Sequence, residues 1–211
     1  MNARQKILNH LNSHRRETVH PQAWVSHREF DNLADQFTQA LKKANGEVHR
    51  VESLEGAMVV LSALLEEIAA KSAVINNQPP LTNLNLPGRW PNITWHRAGD
   101  GDAGQYRAAC AAADIGITGV DAALAETGTA VVSSGPGCSR LTPLLPPVHL
   151  ALIATSQLTT DLFTWTASRH APLPAAMTLI SGPSKTADIE QTMAIGVHGP
   201  KRFIAILYND L

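Results

Sequence analysis

The 211-residue sequence is short of cysteine, of aromatic side chains and of any excess of charge. Its two cysteines, Cys110 and Cys138, are too few for a disulfide framework, and an iron–sulfur cluster usually takes four thiolates. Aromatic residues make up 5%, and 17 Lys and Arg residues against 18 Asp and Glu residues give a formal net charge of −1. Because a surface that binds nucleic acid is usually strongly basic, we expect no nucleic acid partner.

Long apolar runs are also missing. No segment approaches the roughly 18 apolar residues that cross a bilayer, and residues 1–16 are polar, without the apolar core of a signal peptide. We therefore expect a cytoplasmic protein without membrane insertion. His10 and His14 lie four residues apart in this polar segment, which we interpret as a solvated helix face, and we expect no metal site.

The alternation of strand and helix patterns predicts the fold. Short runs of Val, Ile, Leu and Ala alternate with helical patterns of roughly ten to fifteen residues. This order predicts an open, largely parallel α/β sheet flanked by helices, in a single domain over residues 26–211 that follows an N-terminal helical extension over residues 1–25. Ligands of such sheets bind beyond the carboxyl ends of the strands. We expect several glycines at or near those ends: Gly116, Gly119, Gly128, Gly135, Gly182 and Gly199.

The segment from Ile180 to Glu190 is the first candidate site. An apolar strand over residues 177–180 reaches a turn of small polar residues, and we predict a helix from Lys185 onward. A strand–turn–helix corner directs unpaired backbone N–H groups and the positive end of the helix dipole at one place. This predicts a pocket for a phosphate or carboxylate, with the following ligand-binding residues: Ser181, Gly182, Ser184, Lys185 and Thr186. The alternative is an ordinary capped turn in which Asp188 and Glu190 interact with the dipole.

Glu126 is the candidate catalytic acid, base or nucleophile. It lies in an apolar neighbourhood directly before Thr127, Gly128 and Thr129. A carboxyl group that loses water there would have a raised pKa, which suits proton transfer or covalent catalysis. We place Gly128 among the ligand-binding residues of this corner. The alternative is a carboxylate that simply accepts hydrogen bonds from backbone N–H groups at the glycine turn.

Arg140 and His198 complete the predicted site. Arg140 follows a Gly-Pro-Gly turn and could bind a carboxylate or phosphate with two hydrogen bonds, or instead pair with Glu126 or Asp121. His198 lies between small residues before the last predicted strand and could donate a proton, or be structural. Asp121 could face the pocket or form an Asx turn, and Cys138 could be a thiolate, although no neighbouring residue requires it.

Several of these motifs occur together and in one order: residues 113–119, the Ala125–Thr129 corner, Arg140 ahead of Leu-Pro, residues 180–190, and Gly196–Pro200. From about residue 50 to residue 211 the chain resembles the LUD domain, in the LutC (YkgG) type of lactate utilisation proteins. The resemblance implies a fold similar to that of sugar-phosphate isomerases and CoA transferases. It also implies a role in the oxidation of L-lactate to pyruvate, beside two iron–sulfur partner proteins that are LutA-like and LutB-like.

We therefore expect a non-redox subunit of an L-lactate-oxidising system. It would bind a small carboxylate or phosphate, or organise its iron–sulfur partners, and it would carry no cofactor itself because the clusters would sit on the partners. The alternative is a stand-alone enzyme, similar to CoA transferases or sugar-phosphate isomerases, that uses Glu126. A regulatory anion-binding module is a third hypothesis.

Overall fold

A computed structural model describes residues 2–14, 24–169, 173–187 and 193–211. Its helices are α1 (Ala3–Ser13), α2 (Leu33–Lys43), α3 (Leu54–Glu67), α4 (Leu86–Arg89), α5 (Ala103–Ala112) and α6 (Leu162–Ser168). Its strands are β1 (Glu47–Val51), β2 (Ser72–Ile75), β3 (Thr94–Arg97), β4 (Ile115–Thr118), β5 (Ala122–Leu124), β6 (Thr129–Ser134), β7 (Val148–Ala154), β8 (Leu158–Thr159), β9 (Ala176–Ile180), β10 (Lys185–Ala187), β11 (Met193–Ile195) and β12 (Arg202–Tyr208).

The main sheet has six strands in the order β1-β12-β7-β4-β2-β3, and every neighbouring pair is parallel. This arrangement confirms the predicted open α/β fold. A second sheet, in the order β8-β5-β6-β9, inserts after β4 and contains antiparallel pairs, and β10 and β11 form a short antiparallel hairpin. In the described part of the chain, no helix is both long and apolar enough to span a membrane.

Both faces of the main sheet are covered. Because successive residues of a strand point to opposite faces, Leu150 and Leu152 pack against α3 while Ala151 and Ile153 pack against α2 and the second sheet. Phe37 of α2 is fully buried on this second face. Burial on both faces explains why the strand sequences read as nearly continuous apolar runs.

The predicted helix from Lys185 is wrong for the residues that the structure describes. Lys185 pairs with Ile195 and Thr186 pairs with Ala194, so this stretch is a strand. The preceding turn is also paired through its backbone, because the Ser184 amide donates to the Pro200 carbonyl at 2.9 Å. Pairing with the strand Met193–Ile195, up to ten positions ahead, therefore overrides the local helix signal. Asp188 and Glu190 lie outside the described residues.

The first helix stands apart from the rest in its burial. No residue of α1 is buried, and its apolar side chains Ile7, Leu8 and Leu11 are exposed. The boundary predicted between residues 25 and 26 stays a prediction, and the contact of Trp24 with Phe163 described below crosses it.

Candidate functional site

The six parallel strands all end at one side of the sheet, which we call the carboxyl edge, and begin at the opposite side, the amino edge. The segments after β2, β4 and β7 bring Gln78, Asp121 and Gln157 to the carboxyl edge. A cavity of about 500 Å³ opens between them, which we call the edge cavity. Ser133 at the end of β6 and Cys138 also line it. Its position agrees with the general rule that open α/β sheets bind ligands beyond the strand carboxyl ends.

Side-chain hydrogen bonds hold the walls of the edge cavity. The Gln157 side chain donates to the Val120 carbonyl at 2.6 Å and accepts from the Ala154 amide at 2.9 Å, which ties the end of β7 to the segment after β4. The Cys138 thiol donates to the side-chain oxygen of Gln78 at 3.0 Å. The cavity is therefore formed by fixed groups rather than by loose side chains.

Cys138 is held as a thiol. Burial raises the pKa of Cys138, and the nearby Asp121 carboxylate raises it further by repelling a thiolate. Asp121 itself is exposed, and its backbone amide donates to the Val131 carbonyl at 2.8 Å. The thiolate hypothesis for Cys138 therefore has no electrostatic support, whereas the hypothesis that Asp121 faces a pocket does match its position in the cavity wall.

A second cavity of about 360 Å³ lies next to the first, and Gly135 and Cys138 line both. Its opposite wall is the loop between β3 and α5 with the first residues of α5, and we call this segment the glycine loop (residues 98–104). This loop contains the spacing G-x-G-x-x-G at Gly99, Gly101 and Gly104, directly after a strand and at the start of a helix. The sequence carried this signal, but the prediction of site residues did not use it, and none of the nine predicted site residues lies in this segment.

The wall shared by the two cavities is a turn over residues 135–138. Hydrogen bonds to Asn76, which directly follows β2, fix the position of the segment after this turn. The buried Asn76 side-chain oxygen accepts from the Ser139 amide at 3.0 Å and from the Thr142 hydroxyl at 2.6 Å. Gly99 and Gly137 approach each other with positive φ angles of 93° and 72°, and a Cβ on Gly99 would lie 3.3 Å from the Gly137 Cα. Glycine is favoured at both positions because the positive φ angles strain other residues and a side chain would crowd the facing backbone.

Most of the predicted ligand-binding residues lie elsewhere, around the carboxyl-terminal end of α2. The Lys185 ammonium donates to the Ala44 carbonyl at 2.9 Å and to the Asn45 side-chain oxygen at 3.0 Å. Gly182, with φ 136°, packs on the same Ala44 carbonyl, where a Cβ would lie 2.7 Å from the oxygen. Ala44 and Asn45 lie in the loop between α2 and β1, directly before β1 begins. The Ser181–Lys185 turn, which contacts this loop, therefore lies at the amino edge. Lys185 thus stabilises a helix end, as cations commonly do there.

The segment that contains His198 meets Ser184 at the same edge through Gly196 and Gly199. The Ser184 carbonyl accepts from the Gly196 amide at 2.8 Å, and a Cβ on Gly199 would lie 3.1 Å from the Ser184 Cβ. His198 is exposed, and this segment runs directly into β12. The expectation that Gly199 lies near a strand carboxyl end is therefore wrong, since it precedes the strand. Thr186 lies in β10, partly buried.

Glu126 is paired with a residue that the sequence did not suggest. Its carboxylate lies 3.1 Å from the Arg28 guanidinium, which also approaches Asp161 at 3.5 Å, and the Glu126 side chain is 31% exposed. The pairing with Arg140 that we considered does not form, because Arg140 is exposed and Arg28 occupies that place. Glu126 is thus an ion-paired surface carboxylate rather than an isolated buried acid.

Asp161, beside this pair, is fully buried. Burial by itself would raise the pKa of Asp161, but hydrogen bonds from Ser26, Thr164 and Arg28 lower it to about 2. Trp24, two residues before Ser26, packs edge-on against Phe163 of α6 with ring centroids 4.7 Å apart. The segment before α2 is therefore attached to the second sheet and α6.

Gly128 and Ser181 are linked through Thr129. Gly128 has a φ of 63°, and a Cβ there would lie 2.6 Å from the Leu41 Cα. The Thr129 hydroxyl is 2.6 Å from that of Ser181, and Thr129 is only 2% exposed. The Ala-Glu-Thr-Gly-Thr corner and the Ser-Gly-Pro-Ser turn thus meet on the end of α2. None of the nine predicted site residues lines either cavity, so their roles in ligand binding and catalysis stay predictions.

Metal-ligating side chains do not gather in the described ranges, where no group of three His, Cys, Asp or Glu residues could hold an ion. Two buried polar atoms in the same ranges lack hydrogen-bond partners near the cavities, namely the Asn76 side-chain nitrogen and the Ser133 hydroxyl. Unpartnered buried polar groups are uncommon in folded proteins and mark places where a further group can bind.

Comparisons with known proteins agree with this fold and with the resemblance in the sequence. The family model of the LUD domain matches residues 34–208. "Lactate utilization protein C" of Halalkalibacterium halodurans is 33% identical over 209 residues, covering 92% of this chain and 86% of that protein. The protein of the same name from a Geobacillus strain is 31% identical over 231 residues, covering 98% and 94%.

A solved structure gives the same fold. The crystal structure of a DUF162 family protein from Deinococcus radiodurans matches with a TM-score of 0.57 and 19% identity, covering 83% of this chain and 96% of that one. At this identity the likeness concerns the fold alone. The family match spans most of the chain, and two relatives above 30% identity cover nearly all of it. The protein therefore belongs to the LUD domain family.

Proposed function

We propose that this protein is a non-redox component of a system that oxidises L-lactate to pyruvate. The observation that carries the proposal is its similarity, over 92% and 98% of its length, to proteins named "Lactate utilization protein C". These matches include both the second sheet and the main sheet, so they concern the whole fold rather than a shared core. The cavities at the carboxyl edge give such a protein a place to bind a small molecule.

The number of cysteines supports the non-redox assignment. Oxidising lactate to pyruvate removes two electrons and two protons, so an acceptor is required. The chain has two cysteines, and Cys110 is fully buried while Cys138 lies in the cavity wall. Since a cluster usually takes four thiolates, we propose that iron–sulfur partners, LutA-like and LutB-like, carry the electrons.

The small carboxylate or phosphate ligand remains part of this proposal. Lys185 uses two of the three N–H donors of its ammonium on the end of α2, which leaves one donor for an anion. Ser184 and the exposed His198 lie on the adjoining turn. An anion held there would bind at the amino edge, apart from the two cavities.

A deletion strain tests the proposed role. Deleting the gene should abolish growth on L-lactate as sole carbon source and leave growth on glucose unchanged, with recovery on complementation. The purified chain should also bind its iron–sulfur partners at micromolar concentration. Normal growth on lactate without the gene would contradict the role, and separation of the proteins at that concentration would contradict the assembly.

The alternative, a stand-alone enzyme similar to CoA transferases, depends on Glu126. The 31% exposure of its side chain leaves it reachable by a ligand. It predicts that Glu126→Gln abolishes turnover of an acyl-CoA or phosphorylated substrate while the protein remains folded. The Arg28 pair argues against it, because a nucleophile must give up that ion pair before it can attack.

A further inference from the structure

The edge cavity has an unusual balance of charge for a protein expected to bind anions. Among the described residues that line it or the neighbouring cavity, none is Lys, Arg or His. Three are aspartates: Asp100, Asp102 and Asp121. Carboxylates in a cleft disfavour an anionic ligand and favour one that offers hydrogen-bond donors.

Asp121 is the acceptor best placed to meet such a ligand. It follows the carboxyl end of β4 in the cavity wall, and its side chain takes part in no hydrogen bond or ion pair within the described residues. The Ser133 hydroxyl nearby is buried and also lacks a partner there. A hydroxyl-bearing ligand could donate a hydrogen bond to the Asp121 carboxylate and supply a partner for the Ser133 hydroxyl.

The order of elements before Asp121 indicates which hydroxyl-bearing ligand this is. Strand β3 leads to the G-x-G-x-x-G spacing of the glycine loop, then to α5, β4 and Asp121, about twenty residues further on. In dinucleotide-binding units an acidic residue at this position accepts hydrogen bonds from ribose hydroxyls. Asp121 lies at the same distance along the chain from the glycine spacing and likewise follows the carboxyl end of the next strand, β4.

Two differences from such units exclude the phosphate half of the interaction. The Asp102 carboxylate caps α5 by accepting from the Gly104 amide at 2.8 Å and the Gln105 amide at 3.1 Å, so it occupies the N–H groups that a phosphate would need. In addition, β2 lies between β3 and β4 in the sheet, which separates Asp121 from the glycine loop by one further strand. The Asp121 carboxylate is therefore available to accept hydrogen bonds from a ligand, whereas the N–H groups at the start of α5 are already occupied.

We propose that the edge cavity binds an uncharged ribosyl ligand of the nucleoside class, with the ribose hydroxyls donating to Asp121. The cavity volume of about 500 Å³ is sufficient for a ligand of this size. The inference does not depend on the role in lactate utilisation, since it rests on the cavity alone.

Calorimetric titration of the full chain with adenosine, guanosine, cytidine and uridine tests this assignment, with the four 5′-monophosphates, L-lactate and inorganic phosphate as comparison ligands. We expect at least one nucleoside to bind with submillimolar affinity and its monophosphate to bind no more tightly. Lactate and phosphate should not compete with it. Absence of binding by all four nucleosides, or tighter binding of the monophosphate, would overturn the proposal.

A matched pair of variants locates the binding. Asp121→Asn should weaken nucleoside binding about tenfold, because a hydrogen bond to a charged acceptor is lost. Asp31→Asn makes the same change at an exposed carboxylate away from the edge cavity and should leave the affinity unchanged. The bound nucleoside should also slow alkylation of Cys138, which lines the cavity. Equal affinity of the Asp121→Asn variant, or no protection of Cys138, would refute the assignment.

Discussion

The two edges of the main sheet differ in what their side chains contact. At the amino edge, Gly182 and Lys185 contact the end of α2. The Ser184 amide there donates a hydrogen bond to the carbonyl of Pro200, which lies just before β12. At the carboxyl edge, Asp121 and Ser133 border open volume. Glycine, serine and lysine residues whose pattern suggested a ligand site therefore stabilise the packing at the amino edge. The space for a ligand lies at the carboxyl edge.

Glycine substitutions should give the largest contrast between the edges. Gly128→Ala should lower the free energy of unfolding by about 2–4 kcal/mol, because its φ is positive and a Cβ would collide with the Leu41 backbone. Gly135→Ala, in the turn between the cavities, should change it by less than about 0.5 kcal/mol, since a Cβ there meets nothing within 4 Å. Denaturant unfolding of both variants measures the difference, and equal losses would remove the contrast.

His149, buried between the two edges, should make stability depend on pH. Burial lowers the pKa of His149 to about 3, whereas an unfolded histidine titrates near pH 6.5. As pH falls below about 6.5 the unfolded chain takes up this proton first, so the stabilisation present at neutral pH is lost between about pH 6.5 and 3. The loss from this one group is roughly 1.4 kcal/mol per pH unit at most.

Unfolding free energies at pH 7.5, 5.5 and 4.5 measure that slope. His149→Gln should flatten it, although the variant loses the contact between the His149 ring nitrogen and the Thr118 hydroxyl at 2.9 Å and stacking on Phe203. The exposed His96→Gln is the control and should keep the wild-type slope. An unchanged slope in His149→Gln would show that other groups produce it.

Lys185 and Arg140, both predicted to bind an anionic ligand, should differ in their contribution to stability by a smaller amount than the two glycines. Lys185→Ala should cost about 1 kcal/mol of stability, because two hydrogen bonds to the end of α2 are lost. Arg140→Ala, at an exposed position after the cavity turn, should cost close to nothing. Thermal unfolding compares them, and a stability loss in Arg140→Ala as large as that in Lys185→Ala would show that the carboxyl edge is also a packed surface.

The smallest expected effect concerns the reactivity of Cys138. Asp121→Asn removes the carboxylate that helps to raise the pKa of this thiol, so the thiolate fraction at pH 8 should increase. Alkylation by iodoacetamide should then be a few times faster than in the wild type. The Asp31→Asn variant should react at the wild-type rate, and equal rates in all three proteins would place Asp121 out of range of the sulfur.

The fold could be predicted from the sequence because it depends on local apolar patterns. Residues 150–154 and 203–207 are continuous apolar runs, and they belong to two central neighbouring strands of the main sheet, β7 and β12. The family could also be recognised, since its short motifs between residues 113 and 200 occur in the same order along the chain. Both inferences need only the arrangement of segments, which a sequence displays directly.

The site could not be predicted in the same way, because the edge at which a corner lies depends on the direction of the strand beside it. Gly199 precedes β12, and Ala44 precedes β1, so both lie at the amino edge. Lys185 appeared to start a helix, but its strand is set by pairing with Ile195 across the hairpin. Arg28 could not be assigned to Glu126 from the sequence, since almost a hundred positions separate them.

The glycine loop is the exception, since its spacing is visible in the sequence at residues 99–104. What the sequence does not reveal is that Asp102 caps the helix, which changes the ligand that the loop can accept. A motif of glycines reports a backbone path, and the side chains beside it determine the chemistry.

The tie between Arg28, Glu126 and Asp161 has a consequence for where this protein can be shortened. The family match begins at residue 34, beyond Ser26 and Arg28. A truncated chain starting there would leave Asp161, a fully buried carboxylate, without two of the groups that keep it ionised. We expect such a truncation to keep every strand of the main and second sheets yet become more sensitive to acid, whereas a chain that retains Trp24 to Arg28 should keep the acid resistance of the full chain.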